Sequence, residues 1–453
     1  MGTLILRIVA GILGLLGLLV LAFLAGAPAY FDNQMNVVSP HEPYVISEEA
    51  LALHATIPVA DLHADTMLWN RNILKRNNRG HVDLPRMREG GMFLQVFTAV
   101  TQSPEGQNYD HNETDTSDNI TTLAMVQRWP RRTWDSRTER AVYQAEKLAR
   151  FSAESQGIRQ GASIQHTPMN RPDLDIIRTR GNLERTLSEF TSEGCAALRW
   201  SSSPIVATSG QDLAARLEGR PGDVALAFDP EHHPSPSDCF RVAAILGTEG
   251  SHALDGDLAN IDRLFDAGYR VMGLHHFFDN RLGGSLHGSS GGGLSSFGRD
   301  AVTRMRELDI IIDLAHSSEQ VARDALAMGA GPFIVSHTGF NGHCESPRNI
   351  SDELMAAITE DGGLIGVGFW SDVTCGPTVE HIADAILYGV QTFGVEHIAL
   401  GSDFDGTVTT PLDASEMPAI TQALMDRGLS DEDIRMVMGG NTVRFFLDNL
   451  PAE

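Results

Sequence analysis

Two short apolar runs, Ile310–Leu314 and Phe333–Val335, each lead into a histidine, His316 and His337, with one helix-length segment between them. Val321, Ala325, Leu326 and Met328 recur at near-helical spacing within that segment. A strand, a crossover helix and a second strand return the chain to the same edge of a sheet, so the two strands run parallel. The pattern predicts His316 and His337 side by side at the C-terminal ends of adjacent strands, where α/β folds place their chemistry.

The same kind of run recurs along the chain. Eight strands are predicted: Pro58–Leu62, Met92–Ala99, Val242–Gly247, Arg270–Leu274, Asp309–Leu314, Pro332–Ser336, Leu364–Phe369 and His397–Gly401. Helix-like segments alternate with them, among them Asp257–Ala267, Arg299–Glu307 and Asp352–Glu360. The expected fold is α/β, a (β/α)8 TIM-type barrel. A doubly wound open sheet is the alternative, but no GxGxxG follows the first strand. Pro58 to Leu450 is 393 residues, against roughly 250 for a plain barrel. The excess falls after strand two, in an insertion at about 101–230 that contains three helix-like segments and is expected to lie over the barrel mouth.

The N-terminus reads differently. From Ile8 to Phe31 there are 24 residues without a charge, long enough to span a bilayer. Arg7 precedes the run and Asp32, Glu42, Glu48 and Glu49 follow it, an asymmetry that leaves the body on the outer (periplasmic or extracellular) side. The reading is an uncleaved transmembrane helix in 1–32, a linker and short helix in 33–57, and the barrel in 58–453. A cleaved signal peptide is the competitor, since Ala27-Pro28-Ala29 loosely resembles its cleavage site. A net charge of −25 argues against nucleic acid as a partner. Cys195, Cys239, Cys344 and Cys375 form no CxxC, and packed thiols are the expectation.

Polar groups cluster at the predicted strand ends. Strand one ends in His63-Ala-Asp65, whose alternate residues face one side. Glu249 follows the third apolar run, and His275 and His276 the fourth. His316 and His337 end strands five and six, and Asp403 and Asp405 follow strand eight. Six unrelated accidents do not readily place such groups at one end of a barrel. Neutral nitrogens and carboxylates with a shared carboxylate suit two Zn²⁺ ions. His63 and Asp65 would bind one, His316 and His337 the other, with Glu249 bridging. Water between them would be acidified to a pKa near ~7. Asp403 would relay a proton, and His276 would stabilise an oxyanion.

At these residues the chain resembles the membrane dipeptidases (the renal dipeptidase family), within the amidohydrolase-type barrels. The resemblance runs from Asp61 to about Leu447 through DLHADT, GTEGSH, GLHHFFDN, IIIDLAHSS, FIVSHT, ESPRNISDE and ALGSDFDG. It implies metal ligands at His63, Asp65, Glu249, His316 and His337, a proton-transferring Asp403, a substrate-binding His276 and a substrate arginine at Arg348. It implies hydrolysis of dipeptides, including those with a C-terminal D-residue, and a homodimer. An arginine suits a substrate carboxylate because it binds both oxygens at once. Thr101–Pro230 departs from the family pattern, which bears on substrate range. Other amidohydrolase-type reactions usually begin with His-x-His and often use a bridging lysine, unlike His63-Ala-Asp65 and Glu249. A catalytically silent, membrane-tethered binding barrel is the remaining alternative, and the complete ligand set speaks against it.

Overall fold

The protein, here a computed structural model, is described over residues 2–161, 173–190 and 241–452. Its eight central strands are β1 (Val59–Ala64), β2 (Met92–Val100), β3 (Val242–Glu249), β4 (Tyr269–Gly273), β5 (Ile311–Asp313), β6 (Ile334–Thr338), β7 (Leu364–Val367) and β8 (Ile398–Leu400). All neighbours pair in parallel, β8 pairs with β1, and β2 pairs with β3 from Leu94↔Ala243 to Val100↔Glu249. The sheet therefore closes on itself, as the alternation of strand and helix signals predicts. The eight predicted strands all form. A further short strand, Leu174–Ile176, pairs with the start of β3.

Closure sorts the strand residues into two sets. Alternate residues such as Leu62, Leu94, Ile245, Val271, Ile311 and Ala399 pack together with Phe190 and Phe446. Contributions from every strand to one cluster identify it as the barrel interior, which is filled rather than open. The intervening residues, including Val242, Met272, Ile312, Val335, Ile365 and Leu400, pack against the surrounding helices. The filled interior leaves the C-terminal rim as the place where titratable side chains from many strands can converge.

The helix Glu319–Ala327 between β5 and β6 shows how the rim is set. Ser318 caps it, accepting from the Val321 amide at 3.1 Å, and Val321, Ala322 and Ala325 are its buried face. Ser430 caps the helix Asp431–Arg435 in the same way, accepting from the Asp433 amide at 3.1 Å.

Two expectations are corrected. The N-terminal apolar run does form a helix, Gly2–Met35. Among the described residues, however, no helix is long and apolar enough to cross a membrane. The end of this helix is docked on the barrel instead: Ala27 and Asp32 are buried, and Asp32 Oδ2 lies 3.2 Å from Arg71 and 2.8 Å from Arg79. The second correction concerns cysteine. Cys344 and Cys375 form a disulfide with a Cα–Cα separation of 5.5 Å. Spacing alone does not reveal such a pair, because the fold brings together residues 31 apart. Cys195 and Cys239 lie outside the described residues.

Of the insertion, the helices Asn119–Val126, Arg137–Gly161 and Arg180–Phe190 are described, close to the three helix-like segments expected there. The long helix Arg137–Gly161 packs along the barrel side, where Tyr269 Oη donates to Ala141 O. Among the described residues, the loop before them reaches the rim, where Gln102 O meets His276 Nδ1 at 2.9 Å.

Candidate metal centre

Strand ends deliver the side chains. β1 ends at His63 and Asp65, β3 at Glu249, β6 at His337, and the turns after β4, β5 and β8 carry His276, His316 and Asp403. All seven are buried. The structure brings the expected ligands together: Glu249 Oε1 lies 3.7 Å from His63 Nε2, 3.2 Å from His316 Nε2 and 3.4 Å from His337 Nε2. Glu249 Oε2 lies 3.3 Å from His276 Nε2. His63 Nε2 is 3.5 Å from Asp65 Oδ1 and 3.9 Å from Asp403 Oδ1. Three overlapping groups in this cluster have metal-ligand spacing: His63–Glu249–His337, Glu249–His276–His316 and His63–Asp65–Asp403.

Backbone geometry aims several of these groups. His316 and Asp403 adopt φ 60° and 58°, left-handed values uncommon outside glycine. Such conformations persist where the surroundings enforce them, and functional sites are where they collect. Gly250 follows Glu249 at φ +87°, and a Cβ there would lie 3.1 Å from the His276 Cβ. A Cβ on Gly406 would come within 1.9 Å of Asp403 Oδ1, so only glycine lets that carboxylate fold back.

The cluster is oriented by a second layer of hydrogen bonds. Ser336 Oγ lies 3.1 Å from His63 Nδ1 and 2.9 Å from His337 Nδ1. When it accepts from both Nδ1–H groups, both Nε2 lone pairs turn inward, the tautomer that a metal ligand needs. Thr98 Oγ1 donates to Asp65 Oδ1 at 2.7 Å. Asp61, the first residue of the DLHAD run, accepts from Ser402 and Gln95, tying β1 to both neighbouring strands. These partners carry no sequence signal of their own, apart from Ser336 standing next to His337.

The electrostatics suit a cation. Burial first, then the Asp65 charge, pushes Glu249 and Asp403 well above the usual carboxylate range. Burial, then nearby positive groups, drives His316 and His337 well below the usual imidazole value, so both are neutral. Burial also lowers His63, but Asp65 and Glu249 outweigh it and raise it to about 9. His63 Nε2 and Glu249 Oε2 are buried without a hydrogen-bond partner. Crowded carboxylates, inward lone pairs and orphaned buried atoms fit divalent metal, which competes with the proton for the same positions. Imidazole nitrogen with carboxylate oxygen suits zinc among the possibilities.

Arg348 sits behind the histidines. Its Nη2 donates to His337 O at 2.7 Å and stands 3.3 Å from His316 Nε2, and its Cζ lies 5.6 Å from the Trp370 ring. His276 donates from Nδ1 to Gln102 O at 2.9 Å, and burial lowers it to about 4. Asp405 is not a loop cap: it is fully buried, bonded to Arg71, Thr66 and the His81 amide. His287, in the glycine-rich stretch after β4, is buried, stacked on Phe277 and bonded to Tyr109 O.

With this geometry in place, comparison with known proteins finds a sequence profile for "Membrane dipeptidase (Peptidase family M19)" matching residues 212–449. The dipeptidase ataJ of Aspergillus terreus is 34% identical over 233 residues, 45% of this chain and 57% of that protein. An uncharacterized dipeptidase of Schizosaccharomyces pombe is 32% identical over 217 residues, 45% of this chain and 52% of that protein. The matched region thus spans about half the length of these relatives. A metallo peptidase from Rhodobacter sphaeroides, solved with a phosphinate mimic of the dipeptide L-Ala-D-Ala, superposes with a TM-score of 0.59 at 19% identity. That superposition covers 87% of this chain and 99% of the other. The probable dipeptidase PvdM from Pseudomonas aeruginosa gives a TM-score of 0.60 at 17% identity, covering 89% and 98%. At these identities the two structures speak to the fold.

Proposed function

The chain belongs to the membrane dipeptidase family (peptidase family M19), and on that premise we propose that it hydrolyses the peptide bond of dipeptides at a dinuclear zinc centre. One observation carries the reading. A single carboxylate, Glu249, lies within 3.7 Å of the inward ring nitrogens of His63, His316 and His337. That closeness supports Glu249 as the carboxylate that would be shared between two ions. His63 and Asp65 would hold one ion, His316 and His337 the other. When bound, such a pair supplies Lewis acidity, acidifying water and polarising the scissile carbonyl.

The remaining roles fall to this chain's own residues. Asp403, 3.9 Å from His63 Nε2, would relay a proton to the leaving amine. His276 has its Nδ1–H engaged by Gln102 O, so donating to an oxyanion from Nε2 requires the imidazolium form. Negative charge developing beside it favours that form. Arg348 offers a fixed guanidinium for the substrate's terminal carboxylate. Tolerance for a C-terminal D-residue is part of the proposal. The disulfide Cys344–Cys375 fits a body on the outer, oxidising side of the membrane.

The test is a hydrolysis screen of L,L and L,D dipeptides, with and without chelator, alongside metal analysis of the purified protein. Hydrolysis that stops with chelator and returns with zinc supports the reading. Turnover of esters or lactams but not dipeptides would replace the substrate class, and full activity without metal would reject the mechanism.

A further inference from the structure

The insertion loop after β2 reaches the rim at one aromatic residue. Tyr109 is half-buried, with its ring 5.6 Å from Phe277 and 5.4 Å from His287. Phe277 stands 4.8 Å from the His276 ring and 5.1 Å from His316, and His287 stands 5.3 Å from His316. The loop is fixed there by its backbone: Tyr109 O accepts from His287 Nδ1 at 2.8 Å, and Asn112 bonds His287 O. Tyr109 is thus a wall of the metal centre delivered from outside the barrel.

Its hydroxyl is placed for recognition. Trp370 Nε1 donates to Tyr109 Oη at 3.0 Å, and the Trp370 ring lies 5.6 Å from the Arg348 Cζ. An indole N–H only donates, so the phenol is the acceptor in that bond and its own proton is left free. Among the described residues that proton has no acceptor. Burial first pushes the phenol up to about 12, with Arg348 opposing and Asp403 assisting, so Tyr109 stays protonated at neutral pH. A free O–H donor therefore stands in the electrostatic field of the guanidinium expected to meet the substrate carboxylate.

We infer that Tyr109 is a specificity-determining residue: its hydroxyl donates to the substrate's terminal carboxylate beside Arg348, and Trp370 holds it in that orientation. The inference rests on the dipeptide reading above and deepens it. It gives the insertion a purpose in selecting substrates with a free C-terminal carboxylate.

The test uses the full-length zinc-loaded protein, its Tyr109→Phe variant and a phosphinate analogue of a dipeptide, with the analogue's C-terminal amide as the comparison ligand. Phenylalanine keeps the stacking on Phe277 and removes only the hydroxyl. A hydrogen bond to a charged group predicts about tenfold weaker binding of the acid by the variant. Binding of the amide should change less than twofold, and KM for free dipeptides should rise while kcat stays within about twofold. Equal binding of the acid by both proteins overturns the inference. So does an equal loss for acid and amide, which marks a structural role. Binding is read without turnover, so an absence of dipeptide hydrolysis by the parent protein rejects the proposed function while the acid–amide contrast still decides Tyr109.

Discussion

His316 Nε2 and His337 Nε2 face each other across 2.9 Å, with Glu249 Oε1 at 3.2 and 3.4 Å from them. Both rings are neutral and buried. With His337 Nδ1 directed at Ser336 Oγ, the His337 lone pair points at the His316 nitrogen. Two lone pairs and a carboxylate oxygen converging on one small volume repel unless positive charge lies between them. Glu249→Gln keeps the side-chain shape and removes the carboxylate that would attract that positive charge. The parent protein is expected to retain about two metal ions per chain after desalting, and the variant to lose at least one. Elemental analysis on both, with circular dichroism to confirm folding, checks this; unchanged metal content would remove Glu249 from the bridge.

Asp403 is expected to matter for turnover and not for metal. Its carboxylate reaches His63 Nε2 only at 3.9 Å, and its left-handed backbone and the glycine at 406 hold it over the centre. Asp403→Asn cannot give a proton to a leaving amine. Turnover should fall by about 10²–10⁴-fold, with metal content unchanged and KM altered little. Steady-state kinetics paired with metal analysis separate this from loss of a ligand.

The parts that were legible in the sequence share one property. Strand ends are read from local periodicity and from the polar residue that interrupts it, so His63, Asp65, Glu249, His316 and His337 could be placed at one rim before any geometry was known. Parallel closure then brought them within hydrogen-bonding range. What stayed hidden depends on contacts between distant segments. Asp405 has the sequence look of a loop residue, yet Arg71 and Thr66, more than three hundred positions earlier, make it a buried junction. His287 sits in a glycine-rich stretch with no apolar periodicity, and only Tyr109 and Phe277 bury it. The ion pairs of Asp32 with Arg71 and Arg79, which fasten the end of the N-terminal helix to the barrel, likewise carry no local sequence signal.

The disulfide should act on substrate binding as well as stability. It joins the loops that carry Arg348 and Trp370, and Asn349 Nδ2 reinforces the junction by bonding Cys344 O at 2.8 Å and Val373 O at 3.1 Å. Closing a loop of this length restricts the unfolded chain by about 3–4 kcal/mol. Replacing Cys344 and Cys375 together by serine is expected to lower the melting temperature and to raise KM several-fold, with kcat nearly kept. A change in kcat alone would show that the bridge supports the metal ligands rather than Arg348.

His54 predicts a pH dependence remote from the metal centre. It ends the helix Glu48–His54, with Nε2 3.0 Å from Gly90 O and Nδ1 2.8 Å from Thr421 Oγ1. A carbonyl only accepts, so Nε2 carries the proton and Nδ1 accepts from the threonine hydroxyl. Burial lowers its pKa to about 4, with the Gly90 bond partly opposing, while an exposed histidine titrates near ~6.5. Between those values the unfolded chain binds a proton that the folded chain does not, so stability falls as pH falls. The full effect is about 3 kcal/mol, complete near pH 4 and absent above about pH 7. Glutamine at this position keeps a donor for Gly90 O and does not titrate. His54→Gln should therefore be less stable than the parent at pH 7.5 by about 1 kcal/mol, with the gap narrowing or reversing by pH 4.5. Urea midpoints across that range measure both proteins on one scale. Curves that stay parallel would mean that His54 takes up its proton in the folded state.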